Sequence, residues 1–304
     1  MTADKLDEIF GDPWDDANPV GYAALLEADE RGELPAAAGR LLADYDLGAE
    51  FVPAEHGGRF VDMDELTAIL RTVWRRDPRL GIAYGHSGSR DGGTGRHLSG
   101  LRGLEISESE PALHTVFLPS LLVGPLDTAL RTGLANSFDR RLYGATVADI
   151  PFVRATIARA YADLLAIDVL APKAPGAERL AYRMVVEALS SIREVLGARA
   201  LLRSGPTAIF QKMARDVAAV ISVRPRQDPR ARPQIRELLR PELTARLAEP
   251  ELLAVRDRLA RRLGDAPVLT SAERDDVDRQ LFDTAAARYH DRRLFATTAR
   301  RIPG

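Results

Sequence analysis

Apolar residues recur every three or four positions over most of this chain, and alternate with polar ones almost nowhere. From Pro19 to Ala28 and from Leu34 to Tyr45 the spacing is helical, with Pro35 placed for a helix start. His56-Gly57-Gly58 then breaks the period in a loop. It resumes from Asp62 to Trp74, where Leu66, Ile69, Leu70 and Val73 share one face and Asp62 or Asp64 serves as the cap. Further on, Asp149 is expected to cap, and Pro151 to open, a long helix carrying Val153, Ile157, Tyr161, Leu164, Leu165 and Val169, stopped before Pro172. Leu180 to Leu202 predicts another, with Val185, Leu189, Ile192 and Leu196 in series. From about Gln234 the chain carries three charged amphipathic segments. The last begins with a capping box, Thr270 to Glu273, and continues as a stripe of Val277, Leu281, Ala285 and Tyr289. That stripe needs cover, which predicts a homodimer built on the C-terminal helices, with residues 270–301 contributing.

The middle of the chain is different. Residues 85–100 hold six glycines in sixteen positions and no apolar period, as a flexible connection does. Leu101 to Leu118 alternates only weakly, enough at best for a small β hairpin. The expectation is an all-α protein of two helical-bundle lobes. An N-terminal helical domain spans 1–84, a Gly-rich linker with a β remnant 85–118, and a C-terminal helical domain with a charged helical tail 119–304.

Composition narrows the function classes. The 304 residues are 45% hydrophobic and 28% charged, enough for an ordinary globular core. Forty-two basic against forty-four acidic residues give a net charge of -2, which argues against nucleic-acid or polybasic membrane-surface binding. The absence of cysteine excludes disulfides, Cys-ligated zinc, iron–sulfur clusters and a cysteine nucleophile. An acidic start and the lack of a long apolar run predict a cytoplasmic protein. Lysine is rare beside arginine (Lys5, Lys173 and Lys212 alone), which points to a high-GC bacterial genome.

Short motifs supply no chemistry. The glycine-rich stretch lacks the Gly-Lys-Ser/Thr ending of a phosphate loop, and no strand precedes it. The five histidines never fall at the i, i+4 spacing of a helical metal site, and no Gly-x-Ser-x-Gly elbow occurs.

Several longer pieces do carry a resemblance. They are Pro53-Ala54-Glu55-His56-Gly57-Gly58, the run Asp127-Thr128-Ala129-Leu130-Arg131, and the turn Arg140-Arg141-Leu142-Tyr143-Gly144 before Pro151. Glu194-Val195-Leu196-Gly197-Ala198-Arg199 follows, then Phe210-Gln211-Lys212 with Arg215-Asp216. In this order they resemble the two helical domains of acyl-CoA dehydrogenases. The resemblance implies two helical lobes, a β-barrel between them, and an FAD that accepts a hydride while a carboxylate removes the α-proton. Arg140 matches the arginine that reaches the flavin pyrophosphate, a contact a guanidinium suits. The competing reading pairs Arg140 with Asp139 or Asp149.

The departures are as informative. Only 36 residues separate Gly81 from Leu118, whereas a domain needs roughly 50 or more. The barrel does not fit, and residues 101–107 resemble its last strands alone. Where many members place the catalytic acid, near Val223 to Arg226, this chain has Arg224, which cannot take a proton; Asp228 is the next acid. Glu194 replaces the usual Gln and adds negative charge.

The resulting expectation is an acyl-CoA-dehydrogenase-like protein that has lost flavin redox chemistry and needs no cofactor. It would bind or transform an acyl thioester or polyketide-like chain in bacterial specialised metabolism, by cyclisation, dehydration or isomerisation. His56, Glu55, His114 and Asp228 are the acid–base candidates, with His86 beside them. Phe60, Phe117, Phe138 and Phe210 are the candidates to line a cleft for the chain, unless they pack as ordinary core. The alternatives are a non-catalytic subunit that pairs with an intact homologue, and an FAD enzyme that completes its site across subunits.

Overall fold

A computed structural model describes residues 3–84, 118–170, 176–222, 238–290 and Phe295. The chain divides into two units, Met1–Gly124 and Pro125–Gly304. Among the described residues every element is helical except one short hairpin, so the all-α expectation stands. Residues 101–117 of the expected β remnant lie outside the described residues. No described helix is long and apolar enough to cross a membrane.

The first unit holds α1 (Ala3–Phe10), α2 (Tyr22–Glu30), α3 (Ala36–Tyr45), α4 (Met63–Arg76) and α5 (Pro78–Tyr84). Helix α4 is its centre: Leu66, Ile69, Leu70 and Val73 are all buried, as the period predicts. Its cap is Asp62, whose carboxylate accepts the Glu65 N–H at 2.8 Å. Helix α1, too short for a periodicity reading, packs Leu6 and Phe10 from one face against α4. Helix α2 starts later than Pro19 because Asn18 turns the chain first. Its Nδ2 donates to the Phe10 and Asp12 carbonyls at 2.8 and 2.7 Å.

In the second unit α6 (Val123–Asp139) leads into a hairpin of β1 (Arg141–Leu142) and β2 (Ala145–Thr146), with Arg141 opposite Thr146. Tyr143 and Gly144 both take positive φ at its tip, as the tightest hairpin turns require. Asp149 does not cap the next helix as expected. Its carboxylate instead accepts the Thr146 N–H at 2.9 Å and the Thr146 hydroxyl at 2.6 Å, closing a 3-10 turn over Val147–Asp149. Helix α7 (Pro151–Val169) then opens on Ile150. Helix α8 (Ala177–Leu196) stops short of Leu202, because Gly197 takes φ 59 and turns the chain into a 3-10 segment, Gly197–Leu201. There follow α9 (Ala208–Ser222), α10 (Pro241–Thr244), α11 (Glu249–Leu263) and α12 (Ser271–Arg288).

Helix α7 is the core of this unit, packed by α8, α11 and α12. Val277, Leu281 and Ala285 of α12 are buried within the unit. The stripe thus finds its cover in the same chain, and the ground for placing a partner on it falls away.

Candidate functional site

The residues that carry the resemblance divide into those already engaged and those left open. Asp127 and Arg131 form a buried pair one helical turn apart, with Arg131 Nε 2.7 Å from the carboxylate. Asp127 also accepts the Phe295 N–H at 2.8 Å. Lys212 and Asp216 form a second buried pair, at 2.6 Å, and Arg215 reaches the other carboxylate oxygen at 2.8 Å. The first pair also ties α6 to the end of α12, Arg131 Nη1 donating to the Arg288 and Tyr289 carbonyls at 3.2 and 2.7 Å.

Arg140 stands apart. Its N–H donates to the Asn136 carbonyl at 3.0 Å and its own carbonyl accepts the Val147 N–H at 2.8 Å, which fixes the backbone at the base of the hairpin. The guanidinium lies beside Gly197, where an added Cβ would sit 3.9 Å from Nη1. Among the described residues it has no acidic partner. Asp149 is occupied by Thr146, whose hydroxyl and N–H hold its carboxyl below the usual range, with Arg154 and Arg141 adding their charge. Asp139 contributes its charge to Tyr289, a phenol that burial, and then this carboxylate, push up.

Two further side chains complete this corner. Asn136 is buried, and its Oδ1 accepts from Arg199 Nη1 at 2.9 Å. Because a guanidinium only donates, that bond identifies the oxygen and leaves Nδ2 as the other atom. Nδ2 is buried with no acceptor among the described residues. Gly197 brings Arg199 round into this position, because its positive φ turns the chain at the end of α8. Among the described residues the corner therefore holds the Arg140 and Arg199 guanidiniums and an unpaired amide N–H₂, with the Asn136 oxygen already taken by Arg199. Such a donor excess suits an oxyanion, above all a phosphate. Periodicity gave no sign of Asn136 or Arg199. The available signals were the i, i+4 spacing of Asn136, on α6, and Arg140, just past its end, and the glycine two residues before Arg199.

The other expected site residues are scattered. His56 and Glu55 occupy an exposed 3-10 turn, Ala54–His56, with His56 Nε2 3.9 Å from the Glu55 carboxylate. Phe60 is half-buried, its N–H donating to the Val52 carbonyl at 2.9 Å. These three belong to the first unit, and Arg140, Phe138 and Phe210 to the second. Phe138 stacks on Tyr289 with ring centres 5.2 Å apart, and Phe210 is fully buried in α9. His86, His114, Phe117 and Asp228 lie outside the described residues. No group of acidic and histidine side chains among the described residues is arranged to hold a metal ion.

Comparison of the chain with protein-family profiles, with curated proteins and with solved structures finds no match.

Proposed function

We propose that this chain is an acyl-CoA-dehydrogenase-like protein without flavin redox chemistry, binding an acyl thioester or polyketide-like chain through the phosphate of its carrier. The observation that carries the reading is the donor-rich corner of Asn136, Arg140, Gly197 and Arg199, in which Arg140 has no acid beside it and Asn136 Nδ2 no acceptor. A phosphate there would meet donors without first breaking an ion pair of Arg140. The residues present fit the pyrophosphate end of an FAD but not its ring, because the barrel that grips the ring has no room in the 36 residues between Gly81 and Leu118.

Product mass tests the reading. A 3-hydroxyacyl thioester incubated with the purified chain should give a product of unchanged mass, or one lighter by water, with no dependence on added FAD. Loss of two hydrogens that requires FAD would contradict it.

A second reading, a non-catalytic subunit paired with an intact homologue, also has an observation in its favour. Leu201 and Leu202, two and three residues beyond Arg199, are exposed at 71% and 48%. Co-purification with a flavin-bearing homologue would support that reading over the first.

A further inference from the structure

A separate cavity of about 190 Å³ opens in the second unit, lined from α7, α11 and α12 and the loop before α12. Its charged walls are Arg159, Arg258, Arg261 and Arg274 against Asp257 and Asp278; Ala162, Ala254, Leu269 and Val277 form the apolar remainder. None of these residues belongs to the Arg140 corner.

The arginines do not cancel the aspartates evenly. Asp257 is saturated: it accepts the Val268 and Leu269 N–H groups at 3.1 Å each and Arg274 Nε at 3.0 Å, and meets Arg261 Nε at 3.0 Å. Arg258 is directed to Asp163, a buried carboxylate that also takes Arg262. Arg159 and Arg261 each use Nε alone, Arg159 donating to Asp278 at 3.2 Å. Their terminal nitrogens have no protein partner among the described residues, and both side chains are partly exposed, at 42% and 44%. The cleft thus presents two accessible guanidiniums beside apolar walls. It is somewhat larger than the ~150 Å³ cavity that admits a benzene ring, and well under the roughly 300 Å³ where drug-sized pockets begin.

We propose that this cleft binds a small carboxylate with an apolar body, of about the size of benzoate or a short fatty acid. The guanidiniums of Arg159 and Arg261 receive the carboxylate, as forked donors do, and Ala162, Ala254, Leu269 and Val277 take the apolar part. A bare inorganic anion would make no use of that second wall.

The test is calorimetric titration of the full chain with benzoate, hexanoate and inorganic phosphate at constant ionic strength. The proposal expects millimolar or tighter binding of at least one carboxylate, and weaker binding of phosphate to the Arg140→Ala variant, which lacks the other oxyanion corner. Arg159→Ala and Arg261→Ala should each weaken the carboxylate roughly tenfold or more, as loss of a charged hydrogen bond does, while Arg140→Ala leaves it unchanged. Both arginines are partly exposed, and thermal melts would confirm that the variants fold. Failure of both carboxylates to bind would overturn the proposal. So would phosphate binding to the Arg140→Ala variant as tightly as the carboxylates do, or carboxylate affinity surviving the Arg159→Ala, Arg261→Ala double variant.

Discussion

Tyr161 lies fully buried in α7, its hydroxyl donating to Glu251 at 2.8 Å and accepting from Arg288 at 3.2 Å. Burial first, and then the Glu251 charge, push the phenol well above its usual range. One oxygen therefore links α7, α11 and α12 inside a low-dielectric core, where a group stripped of its partner is expensive. Tyr161→Phe keeps the ring but orphans Glu251 Oε1, and should cost about 1–3 kcal/mol in urea unfolding. The two aspartates of the α11–α12 cleft behave oppositely. Burial raises Asp257, but the hydrogen bonds from Arg274 and the Leu269 N–H outweigh it, so its carboxyl lies below the usual range. Its contribution is present above the ordinary value of about 3.9 and is lost as the pH falls through the lower folded value. For Asp278 burial prevails over Arg159, Arg258 and Arg274, and the carboxyl is raised. Ionising it therefore costs stability above its ordinary value. Asp278→Asn is expected to raise the Tm at neutral pH, with the gain vanishing well below about pH 3.9; a constant gain at all pH values would exclude this origin.

At the scale of elements, α12 offers a direct check on local sequence signals. Thr270 and Glu273 form both halves of a capping box, with Thr270 N–H to Glu273 at 2.8 Å and Glu273 N–H to Thr270 Oγ1 at 3.3 Å. Thr270→Ala should lower stability by about 0.5–2 kcal/mol, measured by thermal or urea unfolding. This helix, α4 and α7 were legible because an apolar period long enough to see coincides with a cap or proline at the start. The failures also have local causes. Helix α1 has two turns, too few to show a period. The α8 stop depended on Gly197, which reads equally well as a tolerated glycine within a helix. The hairpin depended on Tyr143 taking positive φ, a conformation its residue type does not announce. Asp149 closes the turn before the one its place ahead of Pro151 suggests, because Thr146, three residues before it, takes its carboxylate. The candidate site was the least legible feature, since Arg199 lies 63 positions from Asn136 and no period connects them.

For the whole molecule, the resemblance motifs that pair internally and the one that does not have different consequences. Asp127–Arg131 and Lys212–Asp216 account for themselves as buried ion pairs, the first also anchoring Phe295, whose ring lies 4.2 Å from the Arg131 guanidinium. Arg140 has no such account, and the proposed function rests on it. The corner and the α7–α11–α12 cleft both belong to the second unit but share no residue, so substitutions separate them. The most direct measurement is calorimetric titration of coenzyme A into the full chain and into its Arg140→Ala and Arg159→Ala variants. The account predicts binding that weakens with added salt, falls roughly tenfold or more in Arg140→Ala, and is unchanged in Arg159→Ala. Equal affinity in wild type and Arg140→Ala, or no binding to either, would contradict it.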